Sequence, residues 1–120
     1  MGPNHPTVLA TFGTLADACV CANHGTVALK YYEEILERLN ERDEDDSRLQ
    51  EAVILHKMSK IHKQHGDLQS ELTKLQRASR VLRLDSRTSM SKQAEDLDHV
   101  IQVDLREARQ TLEAKELQWV

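Results

Sequence analysis

Proline is nearly missing from this sequence: there are two, and none follows Pro6. Glycine occurs four times in 120 residues. A β-sandwich turns about every ten residues and draws on turn formers throughout, so that class is disfavoured. Aromatic residues make up 3% of the chain, which leaves few platforms on which nucleic-acid bases stack. No apolar run reaches the roughly 18 to 20 residues that a membrane span needs. The opening Met1-Gly2-Pro3-Asn4-His5-Pro6 has neither the basic stretch nor the apolar stretch of a signal peptide. Two cysteines do not make a disulfide framework. Cys19 and Cys21 are two apart, which on a helix sets them about 200° apart, so they neither pair nor chelate together. They read as small apolar helix residues in a reducing cytosol. The length suits one domain with a modest core and is short for most enzymes that carry a large cofactor.

Charge is plentiful, at 30% of residues, and the net value of −4 hides a pattern. Residues 1–40 carry four acids and two bases, and the run Glu41-Arg42-Asp43-Glu44-Asp45-Asp46 carries five acids and one base. Residues 47–92 carry ten bases and four acids, and residues 93–120 three bases and seven acids. An acidic hinge therefore precedes a basic middle, and an acidic tail follows.

Apolar residues recur at helical spacing nearly throughout. Val8, Leu9, Phe12, Leu15, Ala16 and Cys19 form one stripe. Asn23-His24-Gly25 interrupts it, and Asn and Gly are the residues that enter the left-handed conformation cheaply. Val27, Ala28, Tyr31, Tyr32, Ile35, Leu36 and Leu39 form a second stripe, ended by the acidic run. Ser47-Arg48-Leu49-Gln50 fits a capping box and opens a third helix with Leu49, Ala52, Leu55, Met58, Ser59, Ile61 and His62. Gly66 suits its C-terminal turn and Asp67 caps a fourth helix, with Leu68, Leu72, Leu75, Ala78 and Leu82. A polar loop at 86–91 leads to a fifth helix from about Lys92. This last helix carries a weak seven-residue seam of Ala94, Ile101 and Ala108 beside Leu105, Leu112 and Trp119, interrupted by Asp98 and Lys115.

The chain repeats itself at a spacing of 43 residues. Leu15 matches Met58, Ala16 matches Ser59, Asn23 matches Gly66, Tyr32 matches Leu75 and Ile35 matches Ala78. Two helical hairpins in tandem explain the period, because each is amphipathic and must bury its apolar face on a neighbour.

The sequence Leu15-Ala16, a turn at Asn23, then Ala28, Tyr32 and Ile35 resembles the tetratricopeptide repeat. That family places a large and then a small residue on its first helix, a Gly turn, and Ala, aromatic, Ala on its second. The second hairpin offers Met58-Ser59, Gly66, Leu75 and Ala78. The period of 43 and the opening Gly2-Pro3-Asn4-His5-Pro6 are similar to the kinesin light chain type, whose linkers are of the Gly-x-x-His-Pro kind. The resemblance covers residues 2–84. Departures are Asn23 in place of Gly, Ile35 and Glu71 in place of small residues, and an acidic linker without His-Pro before Ser47. The expected architecture is all-α: an α-solenoid of tandem antiparallel hairpins, at about 7–40 and 47–84 with the linker 41–46 between them. Residues 85–120 add a polar loop and a capping helix. Opening on a linker motif, the chain is expected to be the last part of a longer array or a short divergent relative.

The resemblance implies a non-catalytic, cytoplasmic scaffold or adaptor whose concave face holds a peptide or partner helix. Carried over by position, the first helix presents Ala10, Gly13, Asp17, Val20 and Cys21. The third presents Val53, His56, Lys60, Lys63 and Gln64, with Lys57 at the edge. His56, Lys60 and Lys63 are spaced by four and three and so share a face, which favours a partner with carboxylates. Other chemistries have less behind them. His62 and His65 are spaced for one metal ion, with no third ligand at matching spacing. Cys19 and His24 lack an orienting third group, no phosphate loop occurs, and no cofactor is expected. Arg77, Arg80, Arg83 and Arg87 form a basic cluster of the kind that follows phosphates, yet bases near a helix C-terminus also suit the helix dipole. The fifth helix offers a route to a homodimer through Leu105, Leu112 and Trp119.

Overall fold

A computed structural model describes residues 6–40, 45–83 and 92–117. These form five helices: α1 (Pro6–Cys21), α2 (Gly25–Asn40), α3 (Asp45–Gln64), α4 (Leu68–Arg83) and α5 (Lys92–Leu117). Among the described residues there is no strand. Each helix packs on the one before it and the one after it, and α5 also touches α3. The molecule measures 56 × 37 × 20 Å, so its thin dimension is about two helix diameters.

The 43-residue spacing returns in the backbone. Asn23 at φ 66° and Gly66 at φ 75° are the positive-φ residues among those described. Each closes its helix in the same way. The Asn23 N–H donates to the Val20 carbonyl at 3.0 Å and the His24 N–H to that of Cys19 at 2.7 Å. The Gly66 N–H donates to Lys63 at 3.1 Å and the Asp67 N–H to His62 at 2.9 Å. These paired bonds satisfy the last carbonyls of the helix, and the left-handed residue makes them possible. Asp67 then caps α4: its carboxylate accepts from the Ser70 amide at 3.2 Å and the Ser70 hydroxyl at 2.8 Å. Both bonds hold its carboxyl below the ordinary value.

Small residues set how closely the helices approach. Ala16, Ala28, Ala52 and Ala78 are fully buried and Ser59 nearly so, among Tyr32, Leu39, Leu55, Met58, Ile61 and Leu75. Gly25 opens α2 against the end of α3. A Cβ there would sit 2.9 Å from Ile61 Cγ2 and 2.9 Å from His65 Nε2. The His65 ring is exposed and able to swing away, but Ile61 is branched and buried. Gly25→Ala is therefore expected to destabilise the fold by about 1 kcal/mol, the low end for overpacking. A urea midpoint equal to that of the parent chain would count against this packing.

Two sequence expectations change, and one departure from the repeat pattern is placed. α3 starts at Asp45, so the expected linker 41–46 gives up its last two residues and Ser47 lies inside the first turn. A boundary read from a capping box carries a margin of one or two residues, because helix ends are set only to that accuracy. Leu15 and Val27, expected inward, are exposed by 42% and 44%. Glu71, which stands where the resemblance expects a small residue, is buried at 4% exposure, without a hydrogen bond to its Oε1. The linker residues 41–44, the loop at 86–91, Arg87 and Trp119 lie outside the described residues.

Candidate functional site: the cleft between the first and third helices

The turn at Asn23 folds α2 back on α1, and α3 packs on α2. This brings one face of α1 beside one face of α3. A cleft of about 310 Å³ results, lined by Asp17, Val20 and Cys21 from α1, Tyr32 from α2, and Lys57, Lys60, Ile61 and Gln64 from α3. Six of these eight residues were expected on the binding face. Tyr32 and Ile61 were read only as core.

The cleft has an ordered polar wall. The buried Tyr32 hydroxyl donates to Asp17 Oδ1 at 2.5 Å, and Lys57 Nζ lies 3.3 and 3.4 Å from the two carboxylate oxygens. Burial, and then the bond to Asp17, pushes the Tyr32 phenol far above its ordinary value. Tyr32 is therefore a fixed donor that anchors Asp17, and Asp17 takes up the charge of Lys57. Lys60 is exposed, and among the described residues it forms no ion pair. Val20, Ile61 and the Tyr32 ring supply apolar floor beside it. The site thus combines one unneutralised ammonium with a small greasy surface, the pairing that a carboxylate next to an aliphatic side chain fits.

His56 and Lys63 do not join this cleft. His56 is buried and its Nε2 lies 2.7 Å from Asp104 Oδ2 of α5. It lies four residues after Ala52 and three before Ser59, both core residues, so it sits at the edge of the buried stripe that α5 covers. Lys63 lines a separate cleft of about 490 Å³ at the α3–α4 turn, with Glu71, Glu107, Thr111 and Lys115. The five expected contacts therefore divide: Lys57, Lys60 and Gln64 face α1, while His56 and Lys63 face the α4–α5 side. Of the α1 set, Ala10 and Gly13 do not line the cleft, nor does Val53 of α3.

The remaining sequence candidates are placed as follows. α5 turns Ala94, Ile101, Leu105 and Ala108 into the core of its own chain and bonds Ser79 through Gln102 at 2.9 Å, so the expected seam is used internally. Arg77 pairs with Glu51 of α3 at 3.3 Å, while Arg80 and Arg83 are exposed. Burial lowers the His62 pKa against the pull of Asp67. Among the described residues no three His, Cys, Asp or Glu side chains gather as a metal set, and no helix is long and apolar enough to cross a membrane. Comparison with protein-family models, with curated proteins and with solved structures gives no match.

Proposed function

We propose that this chain is a non-catalytic protein–protein interaction module of the tetratricopeptide kind, nearest the kinesin light chain type. In this reading α1–α2 and α3–α4 are tandem hairpins, α5 caps the second of them, and the cleft between α1 and α3 receives a peptide or partner helix. The protein works as a scaffold or adaptor in the cytoplasm, where Cys19 and Cys21 stay reduced. The observation that carries the proposal is the convergence of Asp17, Val20 and Cys21 with Lys57, Lys60 and Gln64 on one cleft. They come from two helices about 40 residues apart in sequence, and the tetratricopeptide resemblance, carried over by position, names all six.

The recognised element is a carboxylate followed by an aliphatic side chain. Lys60 meets the carboxylate, and the floor of Val20, Ile61 and Tyr32 takes the aliphatic group. An exposed ion pair contributes little alone, about 0 to 1 kcal/mol, so the apolar contact supplies most of the affinity. Selection from a displayed peptide library is expected to enrich Asp or Glu beside Leu, Ile or Val. Lys60→Glu is expected to weaken the selected peptides about tenfold or more, which is about 1.4 kcal/mol, with the thermal midpoint unchanged because Lys60 is exposed. Equal binding by parent and Lys60→Glu chains would remove the cleft from the proposal.

A further inference from the structure

One buried charge stands where the repeat has a small apolar residue. Glu71 on α4 lies 43 residues after Ala28 on α2. Ala28 is 0% exposed, and Glu71, at 4%, brings a carboxyl to the same depth. Its place in the first turn of α4 favours the ionised form. Yet its Oε1 is buried without a hydrogen bond, and among the described residues Glu71 takes part in no ion pair. Buried carboxylates are ordinarily met by a donor, because an unmet one keeps its full desolvation cost.

Glu71 also lines the cleft of about 490 Å³ at the α3–α4 turn. That space has a local cause. Ile101, Leu105 and Ala108 share the buried face of α5, and the last is too small to fill the room beside α4. The cleft opens next to it, with Leu68 and Ala108 as apolar walls and Lys63, Glu107 and Lys115 at the exposed rim. Among the lining residues Glu71 alone is both charged and buried. Burial raises its carboxyl; the charges of Asp104 and Glu107 push the same way, and Lys63 opposes them. Asp104 Oδ2 is already met by His56 at 2.7 Å. The inner end of the cleft thus holds an excess of negative charge and an acceptor without a donor. Among the described residues no three His, Cys, Asp or Glu side chains gather as a metal set, so a bare metal ion would find too few ligands. A cation that brings its own N–H donors fits instead.

We infer that this cleft binds a primary ammonium group on a short aliphatic chain, with the Glu71 carboxylate as its acceptor. The ammonium supplies the missing N–H donors together with a positive charge. A hydrogen bond between charged partners is roughly twice as strong as one between neutral groups. The aliphatic stem lies along Leu68 and Ala108. Lys63 and Lys115 at the rim repel a second positive charge, so the class is monoamines and not polyamines. Two sources carry this group, a free amine and the lysine side chain of a peptide. The site is separate from the α1–α3 cleft and does not depend on the function proposed for it.

The test titrates the full chain with n-butylamine near neutral pH, where the amine carries its proton, and reads amide chemical shifts. Saturable shifts centred on Leu68, Glu71 and Ala108 are expected. Butyltrimethylammonium keeps the charge without N–H donors, and butyrate reverses the charge; each is expected to bind about tenfold or more weaker. Glu71→Gln keeps the size and removes the charge, with the same loss of butylamine affinity expected. Glu107→Lys, at an exposed position, takes its place if that variant does not fold. The inference is overturned if butylamine gives no saturable shift, if the shifts centre on Asp17 and Lys57, if either control ligand binds as well as butylamine, or if the variant binds as the parent does. Nα-acetyl-lysine amide separates the sources. Tighter binding than butylamine assigns the site to a lysine side chain, and equal or weaker binding assigns it to a free amine; both support an ammonium site.

Discussion

Met58→Ala is expected to lower the unfolding free energy by about 2–5 kcal/mol, the range for truncating a fully buried large side chain. Leu15→Ala, at the matching position 43 residues earlier, is expected to cost well under about 1 kcal/mol, the level of an ordinary surface change. Both remove a large apolar side chain from a helix interior, and both leave a strong helix former behind. Only the surroundings differ: Met58 is fully buried on α3, which packs on α2 and α4, and Leu15 is 42% exposed on α1. Urea denaturation of the two variants beside the parent measures the contrast directly. Similar losses in both would mean that the Leu15 side chain is covered as fully as that of Met58. Linear extrapolation resolves a gap of this size comfortably.

Replacing Glu71 is expected to stabilise the protein. Glu71 sits on α4, four residues after its cap, where the matching residue of α2 is the fully buried Ala28. Its Oε1 is buried without a hydrogen bond. Burial raises the carboxyl above its ordinary value of 4.5; Asp104 and Glu107 push the same way, and Lys63 opposes them. The folded state therefore binds more protons than the unfolded state between 4.5 and the raised value. Stability is unaffected by this group below 4.5, falls as the pH rises through that window, and carries the full penalty above it. Glu71→Met keeps similar volume and removes the orphaned oxygen, a gain of about 1–3 kcal/mol. At this chain length each kcal/mol corresponds to roughly 4 °C or more in thermal midpoint. The gain is expected to be larger at pH 7.5 than at pH 4. A gain that does not change with pH would show that the carboxyl titrates normally, and a loss of stability would show that it has a partner after all.

Much of the local structure was legible in the residues. Helical periodicity is a property of neighbours three and four apart, so the five helices could be read from apolar spacing alone. Asn23 and Gly66 marked the turns because few other residues take a positive φ without strain. The pattern carried over from the resemblance then named Asp17, Val20, Cys21, Lys57, Lys60 and Gln64, which line one cleft, and also Ala10, Gly13, Val53, His56 and Lys63, which do not. The start of α3 was misread because a hydroxyl followed by an amide three residues on is a strong local signal, yet it marks a helix end only to within a residue or two.

Other assignments failed where a second helix decides. His56 was taken for a groove residue because it shares a face with Lys60. Its partner Asp104 lies 48 residues away, at a distance no periodic rule spans. Lys63 shares that face too, but α5 crosses it and divides the stripe into two clefts. Tyr32 looked like ordinary core, and its hydroxyl proved to be the group that orients Asp17.

By itself the amino-acid order determined an all-helical chain, its turns, and a 43-residue period, because these rest on torsion preferences and on contacts within a few residues. Tertiary structure alone decided which apolar edges are covered, which charges are neutralised, and which helix faces come together. Those outcomes depend on whether another helix lies alongside, so Leu15 and Met58, alike in position along the repeat, end in opposite surroundings.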